Sequence, residues 1–172
     1  PCPSTDPNIF NSLLNLFSCF IEKYRDGKAI EKNELEILYT SIIPIFLYCL
    51  IWSIGITTND VGRKKISEYL LPIEKEIIKN NYENIFSEER SEELSNLFIP
   101  ISESQGSNAN VYDFLFDMKE GKWVNFATYL QNPTIDSKAN YTEIIIPTVD
   151  SIRYTHIIKN LLLNNRHLIV TG

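Results

Sequence analysis

Thr148, Asp150 and Arg153 place a hydroxyl, a carboxylate and a guanidinium close together where a β-branched run gives way to a helical pattern. At a strand-to-helix junction such a set could hold a base or a ribose. Helix capping accounts for Thr148 and Asp150 without any ligand, and is the reading the residues favour. Gly121-Lys122 is a second candidate, for phosphate. A P-loop needs G-x-x-x-x-G-K-[ST]: backbone N–H groups cradle the phosphates, the Lys neutralises charge and the hydroxyl holds Mg²⁺. Here Phe116 stands where the first glycine belongs and Trp123 follows the Lys. Gly172, after the apolar run His167 to Thr171, could be the first glycine of such a motif; an ordinary edge strand explains it equally well.

Other chemistries find no support. The chain has neither a G-x-S-x-G elbow nor H-E-x-x-H. Cys2, Cys19 and Cys49 are odd in number and widely spaced, which gives no disulfide framework and implies a reducing compartment. His156 and His167 lack partners at ligand spacing, so no metal site is expected. Glu88-Glu89 and Glu92-Glu93 around Arg90 read as a solvated helix surface, and Asp113 and Asp117 as the wet side of an aromatic strand. The net charge is -6, with Lys and Arg scattered among acids, which argues against a nucleic-acid binder. No basic-then-apolar leader opens the chain, and its start at Pro1 suggests an excised segment.

The elements that would position these residues are mostly helical. Asp6-Pro7 can start a helix, and Ile9, Phe10, Leu13, Leu14, Phe17, Phe20, Ile21 and Tyr24 form one apolar face that Asp26-Gly27 ends. A second helix starts near Glu34 and is apolar on all sides from Ser41 to Ile56. At 16 residues that run is short for a bilayer, which needs about 20. A central core helix is the better reading, with Trp52 in the core. Gly55 should break it, and Thr57 to Asp60 can cap a third helix carrying Val61, Ile66, Tyr69, Leu70 and Leu71. Pro72 should interrupt or restart that helix. Phe86 to Leu97 could add a short acidic helix, and 101–110 is turn-rich.

The period then changes. Val111 to Phe116 and Trp123 to Phe126 predict two short strands around Lys119-Glu120-Gly121. A polar linker covers 131–140. Glu143 to Ile146 is β-branched and stopped by Pro147, and a helix follows to about Leu163, burying Ile152, Ile157, Ile158, Leu161 and Leu162. Asn164-Asn165 turns the chain into the run ending at Gly172. Helix, turn, apolar strand and glycine is how a P-loop core commonly opens.

Three patterns combine in this order: Ile51-Trp52-Ser53-Ile54-Gly55 with Gly62-Arg63-Lys64-Lys65; Val111-Tyr112-Asp113-Phe114 through Lys122-Trp123-Val124; and Ile145-Ile146-Pro147-Thr148-Val149-Asp150-Ser151-Ile152-Arg153-Tyr154, then Leu161-Leu162 and Leu168 to Gly172. Together they resemble the dynein heavy chain where its second and third AAA+ modules join. The resemblance covers nearly the whole chain. It implies a mainly α fold with a small β portion: a partial helical AAA+ lid of module 2 over 1–100, a connector over 101–142 with a β-hairpin at about 111–127, and over 143–172 the first helix and strand of the P-loop domain of module 3, truncated before the P-loop.

The resemblance further implies that Ile146, Pro147 and Thr148 form the adenine loop of module 3 and that Gly172 is the first P-loop glycine. Arg153 matches the motif arginine. The family's phosphate-binding Lys and Thr, its Walker B acid and its arginine finger have no counterpart, and 73–110 departs from the family as an acidic, Asn-rich, insertion-like stretch. The expected role is a lid and connector in an ATP-driven, microtubule-based motor, inactive alone. ATP or ADP with Mg would belong to the parent protein. Its partners would be neighbouring AAA+ modules, with dynein intermediate and light chains and microtubules through the parent, and neither nucleic acid nor membrane. The expected location is cytoplasm and cytoskeleton, including the cilium or flagellar axoneme. The rival readings are a free-standing helical interaction module and a membrane-associated protein anchored by residues 41–56.

Overall fold

The computed structural model describes residues 5–25, 30–86, 90–101, 109–130 and 146–168. Helix α1 runs Asp6–Ile21 with Pro7 in its first turn, where a missing N–H is harmless. Thr5, not Asp6, occupies the cap position, and no side chain bonds the free N–H groups there. Leu13 and Leu16 are buried, while Phe10 and Leu14, on the same predicted face, are exposed. Asp26-Gly27 lies outside the described residues.

Helix α2 spans Lys32–Ser53 and is the centre of the fold, burying Ile45, Leu47, Tyr48, Cys49, Ile51 and Trp52. The helix starts well before the apolar run, so its length does not argue against a bilayer: Lys32–Thr57 is long and apolar enough to cross one, but half of its most apolar window is buried inside the fold. Packing explains the composition. A 3-10 turn at Gly55–Thr57 follows, and Asn59 then caps α3 by accepting the Gly62 N–H at 3.0 Å.

Helix α3 runs Asp60–Tyr82 without a break at Pro72. Pro72 removes the partner of the Glu68 carbonyl, but both residues lie on the exposed side, where water can take that bond. The buried stripe of α3 is Leu70, Glu74, Ile78 and Tyr82. The Tyr82 hydroxyl donates to the Tyr39 carbonyl at 2.9 Å and ties the end of α3 to α2. Within the acidic stretch, Ser91–Ser95 form the short helix α4. Arg90 bridges it to α2, pairing with Glu93 at 2.6 Å and Glu36 at 2.8 Å.

Strands β1 (Phe114–Asp117) and β2 (Lys122–Asn125) form an antiparallel hairpin with Phe116 opposite Trp123. Those two rings meet edge to face at 5.5 Å. The first predicted strand is shorter than its apolar run because Val111–Asp113 coils into a 3-10 turn. Asn110 and Asp113 satisfy each other's backbone there, a local gain that extended pairing would forfeit. In the hairpin turn Gly121 has φ +63°, and a Cβ there would meet nothing within 4 Å. Gly121→Ala therefore tests backbone strain alone and is expected to destabilise by about 1 kcal/mol, read by urea unfolding.

Helix α5, Val149–Leu163, returns to the body of the protein and buries Ile157. Leu162, predicted inside, is exposed, because the packed face of α5 is carried by Ile152, His156, Ile157 and Leu161. Asn165, at φ 55°, turns the chain after it. One continuous core joins Leu13 and Leu16 of α1, the α2 residues, the hairpin aromatics and Ile157. The hairpin is thus part of the helical body, not an appendage.

Candidate functional site

Thr148, Asp150 and Arg153 lie at the start of α5, where Arg153 meets the turn that leads into the hairpin. Thr148 is a true cap: its hydroxyl accepts the Ser151 N–H at 3.2 Å, and Ser151 returns the bond to the Thr148 N–H at 2.9 Å. Asp150 caps nothing. It lies in the first turn, where a carboxylate favours the helix dipole, and its side chain takes Arg153 at 2.7 Å. Thr148 is therefore occupied with its own helix. Ile146 is 62% exposed, and Pro147 is half-buried at the edge of a cleft of about 600 Å³. Phe20, Phe116, Phe126, Tyr129 and His156 line the rest of that cleft, with Lys119 and Lys159 among its polar groups.

His156 is held as a neutral ring. It packs edge to face on Phe126 at 5.9 Å and on Tyr48 at 6.3 Å, and Asn160 Nδ2 sits 3.0 Å from its Nε2. Burial, helped by the charge of Lys159, pushes its pKa below the usual imidazole value. It has no metal-binding companions: among the described residues no group of three His, Cys, Asp or Glu side chains could hold an ion. The two thiols among the described residues are equally quiet. Burial pushes both Cys19 and Cys49 above the usual thiol range, Cys49 far above it, which disfavours the reactive thiolate.

Trp52 joins the site to the core. Its ring meets Tyr112 at 5.7 Å, Phe126 at 6.1 Å, Tyr154 at 6.3 Å and Tyr48 at 6.5 Å. Gly55, one turn on, leaves room for the Tyr112 hydroxyl, which a Cβ there would overlap. Asp113, read from the sequence as a wet-face residue, pairs with Arg153 instead. Asp117 folds back on its own turn, accepting the Lys119 N–H at 2.8 Å. Gly172 and the residues before it from Ile169 lie outside the described residues, as do 143–145, so the two predicted strands there are not described. His167 and Leu168 have no regular structure.

One buried group escaped the sequence reading. Glu74 is fully buried, and its Oε1 accepts the Ile99 N–H at 2.6 Å. Its Oε2 has no partner among the described residues, and burial raises the carboxyl pKa to about 7. The signal was present: Glu74 falls four residues from both Leu70 and Ile78, on the apolar stripe. Beside it, Trp123 Nε1 donates to the Leu97 carbonyl at 2.8 Å, so α3 and β2 together fasten the segment after α4.

The sequence of the chain is similar to known proteins along most of its length. The family model of the dynein heavy chain AAA lid domain matches residues 1–128, which takes in the hairpin. Dynein axonemal heavy chain 1 of Homo sapiens is 30% identical and that of Mus musculus 27% identical, each over 98% of this chain. Dynein axonemal heavy chain 2 of Homo sapiens is 24% identical over 77% of it. The chain spans only 4%, 4% and 2% of the length of these relatives. On the family match and on relatives that run through α5, the chain belongs to the dynein heavy chain AAA lid family.

Proposed function

We propose that the chain is the lid and connector between the second and third AAA+ modules of a dynein heavy-chain motor, passing rigid-body shifts around the ring. The observation that carries this reading is an apolar groove of about 740 Å³ between α1, α2 and α3, left uncovered by the described residues and walled by Phe17, Phe46, Leu50, Ile54, Ile66 and Tyr69. Phe46 is 44% and Tyr69 75% exposed, in a groove almost without polar atoms. A self-contained protein rarely leaves such a face to water. A neighbouring module of the same heavy chain is the occupant that lid ancestry favours.

In this reading ATP or ADP with Mg binds the parent protein. Ile146 and Pro147 fit one wall of an adenine site, since both present apolar surface ahead of the helix, while Thr148 holds their loop in place through its cap. When bound, nucleotide supplies the energy of the parent motor. Residues 1–172 contribute that wall and no phosphate-binding Lys or Walker acid, so the chain alone is not a catalyst. Intermediate chains, light chains and microtubules are partners of the parent. The axonemal relatives support a cytoskeletal location, ciliary or flagellar.

Two measurements test this. Transcript sequence beyond Gly172 is expected to give a glycine-rich stretch ending in Gly-Lys-Ser or Gly-Lys-Thr; a stop codon there overturns the proposal and favours a free-standing interaction module. The purified chain with Mg-ATP is expected to show no turnover above background, and robust ATP hydrolysis would contradict the lid assignment.

A further inference from the structure

Helix α5 is fastened to the body by charge as well as by its apolar face. The Arg153 guanidinium pairs with Asp113, forty residues earlier in the chain, and with Asp150 one turn back at 2.7 Å. The Arg153 and Asp113 side chains are 14% and 20% exposed, so this pair is largely screened from water. Asp113 is fixed before Arg153 reaches it: its second carboxylate oxygen accepts the Asn110 N–H at 2.8 Å. The next residue, Tyr154, bonds Arg63 of α3 at 3.3 Å, and Arg63 lies over the Tyr112 ring at 5.2 Å.

The Val111–Asp113 turn is where these contacts meet. Val111 N–H donates to Ser67 Oγ of α3 at 3.1 Å, and Tyr112 packs on Gly55 and Trp52. Asp113 leads directly into β1. A shift of α3 or of the hairpin relative to α2 must therefore displace Asp113, and with it Arg153. Both terminal nitrogens of Arg153 are committed within the protein. One terminal nitrogen is held by Asp113 and the other by Asp150, and Nε is buried without a partner among the described residues.

We propose that Arg153 is a positioning residue, the latch that sets the docking angle of α5 on the lid and hairpin through Asp113, and that it does not contact nucleotide. The latch is a property of this chain. Its part in ring mechanics rests on the reading of α5 as the first helix of the next module.

The test is amide hydrogen exchange by mass spectrometry on the intact chain, comparing Val149–Leu163 with α2 as an internal standard. Asp113→Asn and Arg153→Gln are each expected to speed exchange in α5 by about tenfold while α2 is unchanged. Arg153→Lys, which keeps the charge but loses the fork, should fall between. Unchanged α5 exchange in both single variants, or equal loss of protection in α2 and α5, overturns the latch. None of these results bears on the sequence beyond Gly172, so failure of the latch and failure of the ring assignment are told apart.

Discussion

Trp52→Ala is expected to lower the unfolding free energy by about 3–5 kcal/mol, the range for emptying a buried indole site. Trp52 is 3% exposed and touches four aromatic rings from α2, the Val111–Asp113 turn, the turn after β2 and α5. Those rings come from separate elements, so none can move into the cavity without pulling its own element from the core. The indole N–H is buried without an acceptor among the described residues. Trp52→Phe removes that orphan donor with part of the volume and should be much milder than Trp52→Ala. Urea unfolding followed by circular dichroism reads both. A loss below about 1 kcal/mol for Trp52→Ala would show that the junction is not a stability centre.

The second large effect lies at Glu74 and depends on pH. Its carboxyl titrates near 7 in the folded chain, against an ordinary value of 4.5. Between those values the native state holds a proton that the unfolded chain has released, so stability falls as pH rises. The stabilisation is full below about 4.5 and is lost by about 7, an effect on the order of 3 kcal/mol. His156 acts in the opposite sense. Its folded pKa is depressed, so its contribution falls as pH drops through the imidazole range. Glu74→Gln separates the two. It keeps an acceptor for the Ile99 N–H and cannot ionise, so it should be more stable than the parent chain at pH 8 and no more stable at pH 5. Denaturant unfolding at both pH values measures this. Parallel curves for the two proteins would mean that Glu74 does not titrate in this window.

Helical periodicity made most of the fold legible, because the body is built from long helices whose apolar residues repeat every three or four positions. The misreadings have local causes. Pro72 reads as a breaker only if its freed carbonyl is assumed to need a protein partner, and Glu68 faces solvent. Val111 and Tyr112 look like strand residues, yet the Asn110–Asp113 capping box coils them. Leu162 is apolar and correctly spaced, but α5 packs through His156 instead. At the site, the Thr148 cap was readable from adjacent residues. Arg153 with Asp113, and Arg63 with Tyr154, were not, since no local pattern marks partners 40 and 91 residues apart. Glu74 could have been found as a carboxylate on an apolar stripe.

The same long reach governs how the chain comes together in time. Arg166, just past α5, lies 3.4 Å from Glu22, just past α1, across 144 residues of sequence. Closing a loop of that size by itself opposes assembly by about 4 kcal/mol, before any contact offsets it. On a ribosome α1 to α3 emerge well ahead of α5, with Tyr48 and Trp52 lacking their last aromatic neighbours. Until α5 has left the exit tunnel, the parts of Tyr48 and Trp52 that it covers stay exposed, which gives chaperones a surface to hold in that interval.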